Sequence, residues 1–184
     1  MPILAKERDF YPDDLFDMPT ADAPWEIAHL RSRQEKTVAR LLLESGSPFY
    51  LPQIEKKKKS PQRTFISHLP MFPGYIFVRR VKGLRETLHR TNAVANMLEV
   101  PDQAELTAEL FQIRQLQARG AVLTPIDQLV PGDMVRITEG SFSGYSGIVL
   151  KERGSLRLIV SVSILKKSVA VEFPRELLEP VAST

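Results

Sequence analysis

The sequence predicts an α+β module followed by a small all-β module. Up to about residue 118, strand-like and helix-like patterns follow one another in the order strand, helix, strands, short helix, strand, helix, as in a mostly antiparallel sheet flanked by helices. From Leu129 onward helical spacing stops, and short runs rich in Val and Ile recur between turn residues, the texture of a small closed barrel without exposed edges.

Trp25 to Leu30 alternates large and polar residues as a half-buried strand does. A helix is predicted over Gln34 to Ser45, with Val38, Leu41, Leu42 and Ser45 at helical spacing and Gly46 as its stop. Phe49 to Ile54, the basic stretch Lys56 to Arg63 and Thr64 to Leu69 read as a hairpin with a long charged tip. Pro70-Met71-Phe72-Pro73-Gly74 then turns sharply into a strand, Tyr75 to Arg79. Leu84 to Arg90 forms a short helix and Val94 to Val100 an extended segment. A last helix starts near Asp102 and carries Leu106, Leu110 and Ile113 on one stripe, ending the first domain near Ala118.

The predicted organisation is an acidic, flexible or loosely docked extension over residues 1–23, a first domain over 24–118, a linker over 119–128 and a barrel over 129–184. In the barrel, strands are expected at Met134 to Ile137, Ser146 to Lys151, Arg157 to Ile164 and Ser168 to Phe173.

Composition narrows the chemistry. Cysteine is absent, so disulfides and thiolate catalysis are excluded, and His29, His68 and His89 are too scattered for a local metal motif. No nucleophile-and-base set, Walker-type loop or paired carboxylates stand out, so neither an enzyme nor a cofactor is expected. No run is long and apolar enough for a membrane span, and the N-terminus lacks a secretory layout, so a cytoplasmic monomer without a membrane partner is expected. The net charge of +3 is uneven: residues 1–23 carry −4, residues 24–118 carry +6 and residues 119–184 carry +1. A basic middle segment is compatible with nearby phosphates but also with ordinary solvated surface.

Two stretches carry a family resemblance. Pro131-Gly132-Asp133-Met134-Val135-Arg136-Ile137, followed by Gly140-Ser141-Phe142-Ser143-Gly144-Tyr145-Ser146-Gly147-Ile148-Val149, resembles the KOW motif, with Gly147 as its central glycine. Pro70-Met71-Phe72-Pro73-Gly74-Tyr75-Ile76-Phe77-Val78 resembles the signature of NusG N-terminal domains. Together they make the chain similar to the NusG/RfaH family of transcription elongation and antitermination factors over about residues 24–181. The short connection Ser47 to Pro52 is closer to specialised paralogs such as RfaH. The resemblance implies an NGN-like first domain and an SH3-like KOW barrel.

It also implies partners. In the family the first sheet grips the clamp helices of the largest RNA polymerase subunit, which carries over to Phe72, Tyr75 and Phe77. Tyr75 and Phe77 face one side of their strand and Ile76 and Val78 the other, so both faces are apolar and one is expected to stay partly open. Burial of these aromatics as ordinary core is the competing expectation. Thr87, in Arg85 to His89, aligns with the part that touches the polymerase's opposite jaw. Arg31, Arg33 and Lys36 fall where family members approach the non-template DNA strand, and basic side chains hold phosphates without reading sequence. The paralog's base-reading pattern is not matched, since Thr37 and Leu41 stand at those helix positions. Phe142, Tyr145, Ile164 and Lys167 match positions through which a KOW domain contacts Rho or a small-subunit ribosomal protein. A helical refolding of the barrel is not expected, because Leu156 to Ile164 and Val169 to Phe173 are rich in β-branched residues. A ribosome-associated KOW protein that binds RNA is the alternative, and it leaves Trp25 and the Phe72 to Val78 signature unexplained.

Overall fold

A computed structural model describes residues 6–59, 63–126, 134–137, 143–152, 155–173 and 178–180. The chain divides into two compact units, Met1–Gln103 and Ala104–Thr184.

The first unit is built on a five-stranded sheet. Its strands are β1 (Phe10–Tyr11), β2 (Trp25–Leu30), β3 (Phe49–Tyr50), β6 (Tyr75–Arg79) and β7 (Val94–Glu99), in the order β1-β3-β6-β2-β7. All pairings are antiparallel. Strand β6 lies at the centre, so both its faces need cover. On the back, Ile76 and Val78 join Ala28 and Leu30 of β2 in a cluster closed by Val38, Ala39 and Leu42 of helix α1 (Glu35–Glu44) and Leu84 and Leu88 of helix α2 (Leu84–His89). Helix α1 ends where predicted: Gly46 takes a left-handed φ of +67°, and Ser47 N–H donates to Leu42 O at 2.8 Å.

Two strands stand apart as a separate ribbon, β4 (Gln53–Lys59) against β5 (Thr64–Pro70), the predicted basic hairpin; its tip, residues 60–62, lies outside the described residues.

The extension, read from sequence as flexible or loosely docked, is folded over its described residues. Phe10 and Tyr11 pair with Tyr50 and Phe49, and Leu51 N–H donates to Asp9 O at 2.6 Å. Leu15 is fully buried. The physical reason is the uncovered front of the sheet: an apolar pair, Leu15-Phe16, set among aspartates gains more by covering it than by remaining in water.

The second unit holds most of helix α3 (Gln103–Ala118) and a six-stranded antiparallel sheet in the order β13-β9-β10-β11-β12-β8. Its strands are β8 (Thr124–Ile126), β9 (Met134–Ile137), β10 (Ser146–Glu152), β11 (Ser155–Val162), β12 (Lys167–Phe173) and β13 (Leu178–Pro180). Thr124–Ile126, inside the stretch read as linker, pairs with Ser168 to Ala170, because Leu123 and Ile126 give that stretch enough apolar content to add an edge strand. Within the second unit, Ser163 Oγ–H donates to Glu109 Oε1 of α3 at 2.5 Å and Gln112 Nε2–H of α3 to Ser146 O at 2.5 Å.

Leu42 is fully buried where α1 meets the back of the sheet. Leu42→Ala should lower stability by about 2–5 kcal/mol, through lost transfer energy and the cavity left behind, as read from urea unfolding.

Candidate docking face

The front of the first sheet collects the residues that alternate away from the helices: Trp25, Ile27 and His29 of β2, Tyr75, Phe77 and Arg79 of β6, and Tyr50 of β3. Its two ends differ. At one, Phe16 from the extension lies with ring centroids 5.8 Å from Trp25 and 5.4 Å from Tyr50. Phe77 follows 6.4 Å from Tyr50, and Phe72 packs edge-on to Phe77 at 6.0 Å. Trp25, Tyr50, Phe72 and Phe77 are all buried.

The other end is half open. Tyr75 stacks on His29, its cross-strand neighbour, with centroids 5.0 Å apart and planes at 21°. Both rings are half-buried, and Asn96, the partner of His29 on β7, is exposed. Of the aromatics read as docking residues, Tyr75 alone therefore faces outward. Phe72 and Phe77 lie in the core, where the aromatic front is sealed by the extension, so they support Tyr75 and make no outward surface.

Tyr75 is positioned by the turn before it. Gly74 takes φ +84°, a conformation that L side chains rarely adopt, which explains the glycine there. Its N–H donates to Glu35 Oε1 at 2.7 Å, and its carbonyl accepts from Leu30 N–H at 2.7 Å. The first turn of α1 and the end of β2 thus hold the turn from two sides. Tyr75 N–H closes it on Phe72 O at 3.1 Å.

Arg79 is a buried cation. Its guanidinium lies 4.7 Å from the Trp25 ring centre and donates through Nη2 to Met18 O. Its Nε has no hydrogen-bond partner among the described residues, and burial lowers its pKa below the usual guanidinium value. Glu26 is a buried anion facing the other way. Its Oε1 accepts from Arg80 at 2.6 Å and Arg85 at 3.2 Å, tying β2 to α2. Beside it, Glu26, Arg85, His89, Asn92 and Asn96 help to line a cleft of about 460 Å³.

The remaining residues singled out by sequence are dispersed. Arg31 and Arg33 are exposed in the loop between β2 and α1, Arg33 with φ +63°. Lys36 is buried in the first turn of α1. Burial lowers its pKa, the charge of Glu7 opposes that shift and Arg40 adds to it, so Lys36 packs into the fold rather than reaching outward with the two arginines. Thr87 is buried in α2, its N–H bonded to Gly83 O at 3.0 Å. In the second unit Tyr145, read from the resemblance as a partner-contacting residue, is buried. Its carbonyl accepts from Ile137 N–H at 2.8 Å and the Arg119 guanidinium lies 5.4 Å from its ring centre, so the residue is drawn into the start of the sheet. Ile164 and Lys167 are half-buried around the turn between β11 and β12, and Phe142 lies outside the described residues.

Sequence reasoning missed His29, considered only as a metal ligand, and Phe16 and Arg79. The period-two alternation of β2 would have found His29, since it shares a face with Trp25 and Ile27. No local pattern pointed to Phe16, because its contacts are made across the fold. Among the described residues no group of His, Asp and Glu could hold a metal ion, and no helix is long and apolar enough to cross a membrane.

The fold and face define an α+β chain of two units, each with a helix and an antiparallel sheet, whose singled-out groups are aromatic and basic. Residues 23–118 match the family described as "Transcription termination factor nusG", and the chain belongs to the NusG family. It is 26% identical over 148 residues to the transcription termination/antitermination protein NusG of Buchnera aphidicola subsp. Baizongia pistaciae, covering 76% of this chain and 77% of that one. With the NusG protein of Pasteurella multocida it shares 30% identity over 126 residues, covering 63% of this chain and 64% of the relative. A solved structure described as "Domain interaction in Thermotoga maritima NusG" aligns with 89% of this chain and all of its own, at 17% identity and a TM-score of 0.47.

Glu26→Gln keeps the shape of the buried carboxylate while removing its charge from two arginines. Stability to urea should fall by about 1–3 kcal/mol, at the lower end because Arg80 and Arg85 are partly exposed and screened.

Proposed function

We propose that this chain is a transcription elongation and antitermination factor that docks on RNA polymerase through the front of its first sheet. The observation that carries this is the half-buried Tyr75 and His29 stack, an aromatic strip on a rigid strand in a member of the NusG family. Aromatic rings at the edge of a packed core are the usual anchors of protein interfaces, since they bring apolar area with little entropy to lose.

The clamp helices of the polymerase's largest subunit are the proposed partner of this strip, and α2, with Thr87 inside it and Arg85 exposed, faces the opposite jaw. Spanning the cleft in this way favours the closed clamp over the paused, open one. A preference of about 1.4 kcal/mol changes the ratio of the two states tenfold. No bond is made or broken by the factor itself. Arg31 and Arg33 supply weak, sequence-independent contacts to phosphates of the non-template strand. The second unit links polymerase to Rho or a small-subunit ribosomal protein through the region of Phe142, Tyr145, Ile164 and Lys167. Since Tyr145 is buried, the contact there falls to the half-buried Ile164 and Lys167.

Tyr75→Ala should weaken binding to purified polymerase by about 2 kcal/mol, roughly thirtyfold, and restore pausing in a single-round elongation assay. Parent-like affinity and pause suppression would refute the docking face. Preferential capture of ribosomes over polymerase would favour the RNA-binding reading.

A further inference from the structure

The two ends of the sheet's front form one continuous strip along β6, in which Tyr75, Phe77 and Arg79 share a face. The Tyr75 end is half-buried, whereas Phe16 and Met18 lie over the Arg79 end. We propose that residues 13–18, Asp-Asp-Leu-Phe-Asp-Met, are an intramolecular ligand on the covered half of the docking strip, and that the polymerase displaces them to engage the whole face. The proposal rests on the docking reading above and adds its regulation.

Four observations carry it. The residues beneath the segment, Trp25, Tyr50 and Arg79, are of the types that dominate protein interfaces. Arg79 donates through Nη2 to a main-chain carbonyl, that of Met18, and any polypeptide that brings an oxygen to the same place replaces it. The chain preceding the segment is an edge strand of two residue pairs, Phe10 with Tyr50 and Tyr11 with Phe49, tied further by Leu51 N–H to Asp9 O, Gln53 Nε2–H to Glu7 O and the Glu7–Arg40 pair. Finally, the segment puts Leu15 and Phe16 inward while Asp13, Asp14 and Asp17 face solvent, so it behaves as a short apolar ligand on an acidic backing. The partner that fits this half-face is therefore a protein segment with a large apolar side chain to replace Phe16 between Trp25 and Tyr50, next to an oxygen acceptor for Arg79.

The test measures polymerase affinity of the full chain in three forms. Phe16→Ala should bind about tenfold tighter than the parent, because a larger share of molecules has the face free. Emission of Trp25, the single tryptophan, should shift to the red as its ring loses cover. The second form closes the segment. Glu7 and Arg40 meet at 3.3 Å, and the chain has no native cysteine, so Glu7→Cys with Arg40→Cys, joined by a short cleavable bis-maleimide, anchors the extension at both ends. The joined protein should bind about tenfold more weakly than the same protein after linker cleavage. Parent-like or weaker binding by Phe16→Ala, or equal binding by the joined and cleaved forms, overturns the proposal. The third form, Tyr75→Ala, separates the two readings. If it loses binding while the other two change nothing, the docking face stands and the intramolecular ligand falls; if it binds like the parent, both fall.

Discussion

Strand β6 is apolar on both sides, and the first unit is organised by the need to cover both. A central strand of this kind cannot leave a face in water without exposing Ile76 and Val78 on one side or Phe77 on the other. Helices α1 and α2 cover the back. On the front, Phe16 packs on Trp25 and Tyr50 at one end, and Tyr75 at the other end is half-buried. The candidate site is thus the place where burial of a two-sided strand runs out. It needs no groups beyond those the sheet already presents.

Buried charge follows the same partition. Arg79 points to the front and Glu26 to the back, each nearly inaccessible, and each is met by a partner that crosses between elements. Glu26 recruits Arg80 and Arg85 and so fastens α2 to β2. Arg79 recruits the carbonyl of Met18 and so fastens the extension to β6. A buried ion left without such a partner is costly, so these contacts specify which segment covers which face even where their net contribution to stability is small. Glu35 extends the logic to the turn, its carboxylate fixed on the N–H of Gly74.

Much of the fold was legible because it is local. The alternation of Trp25 to Leu30, the spacing of Val38 and Leu42 and the stop at Gly46 gave β2 and α1 to within a residue or two, and the turn at Gly74 and the two-sided character of Tyr75 to Val78 were equally plain. The basic hairpin followed from its charge run and the β-branched stretches of the second unit from composition. What sequence did not disclose is long-range. An acidic, proline-containing stretch shows no period, yet Leu15 within it is buried and Phe16 packs on Tyr50, 34 positions away. In the same way the surroundings of Tyr145 depend on Arg119 and Ile137, which no local pattern links to it. Phe72 and Phe77 were read as docking residues with burial as ordinary core the competing expectation, and the structure buries both.

The packing beneath Tyr75 matters to the docking proposed for it. A ring used for docking is worth most when its orientation is fixed before the partner arrives, since ordering it afterwards subtracts from affinity. Here Pro73 and Gly74 set the bend, Glu35 and Leu30 hold it, Phe72 and Phe77 fill the space below, and His29 fixes the plane of Tyr75 from the next strand. In the docking proposed above, most residues from Pro70 to Val78 act on recognition only through that one half-buried ring. On that proposal a substitution that preserves Tyr75 but loosens the turn should harm docking almost as directly as removing the ring, because both take away the same pre-formed surface.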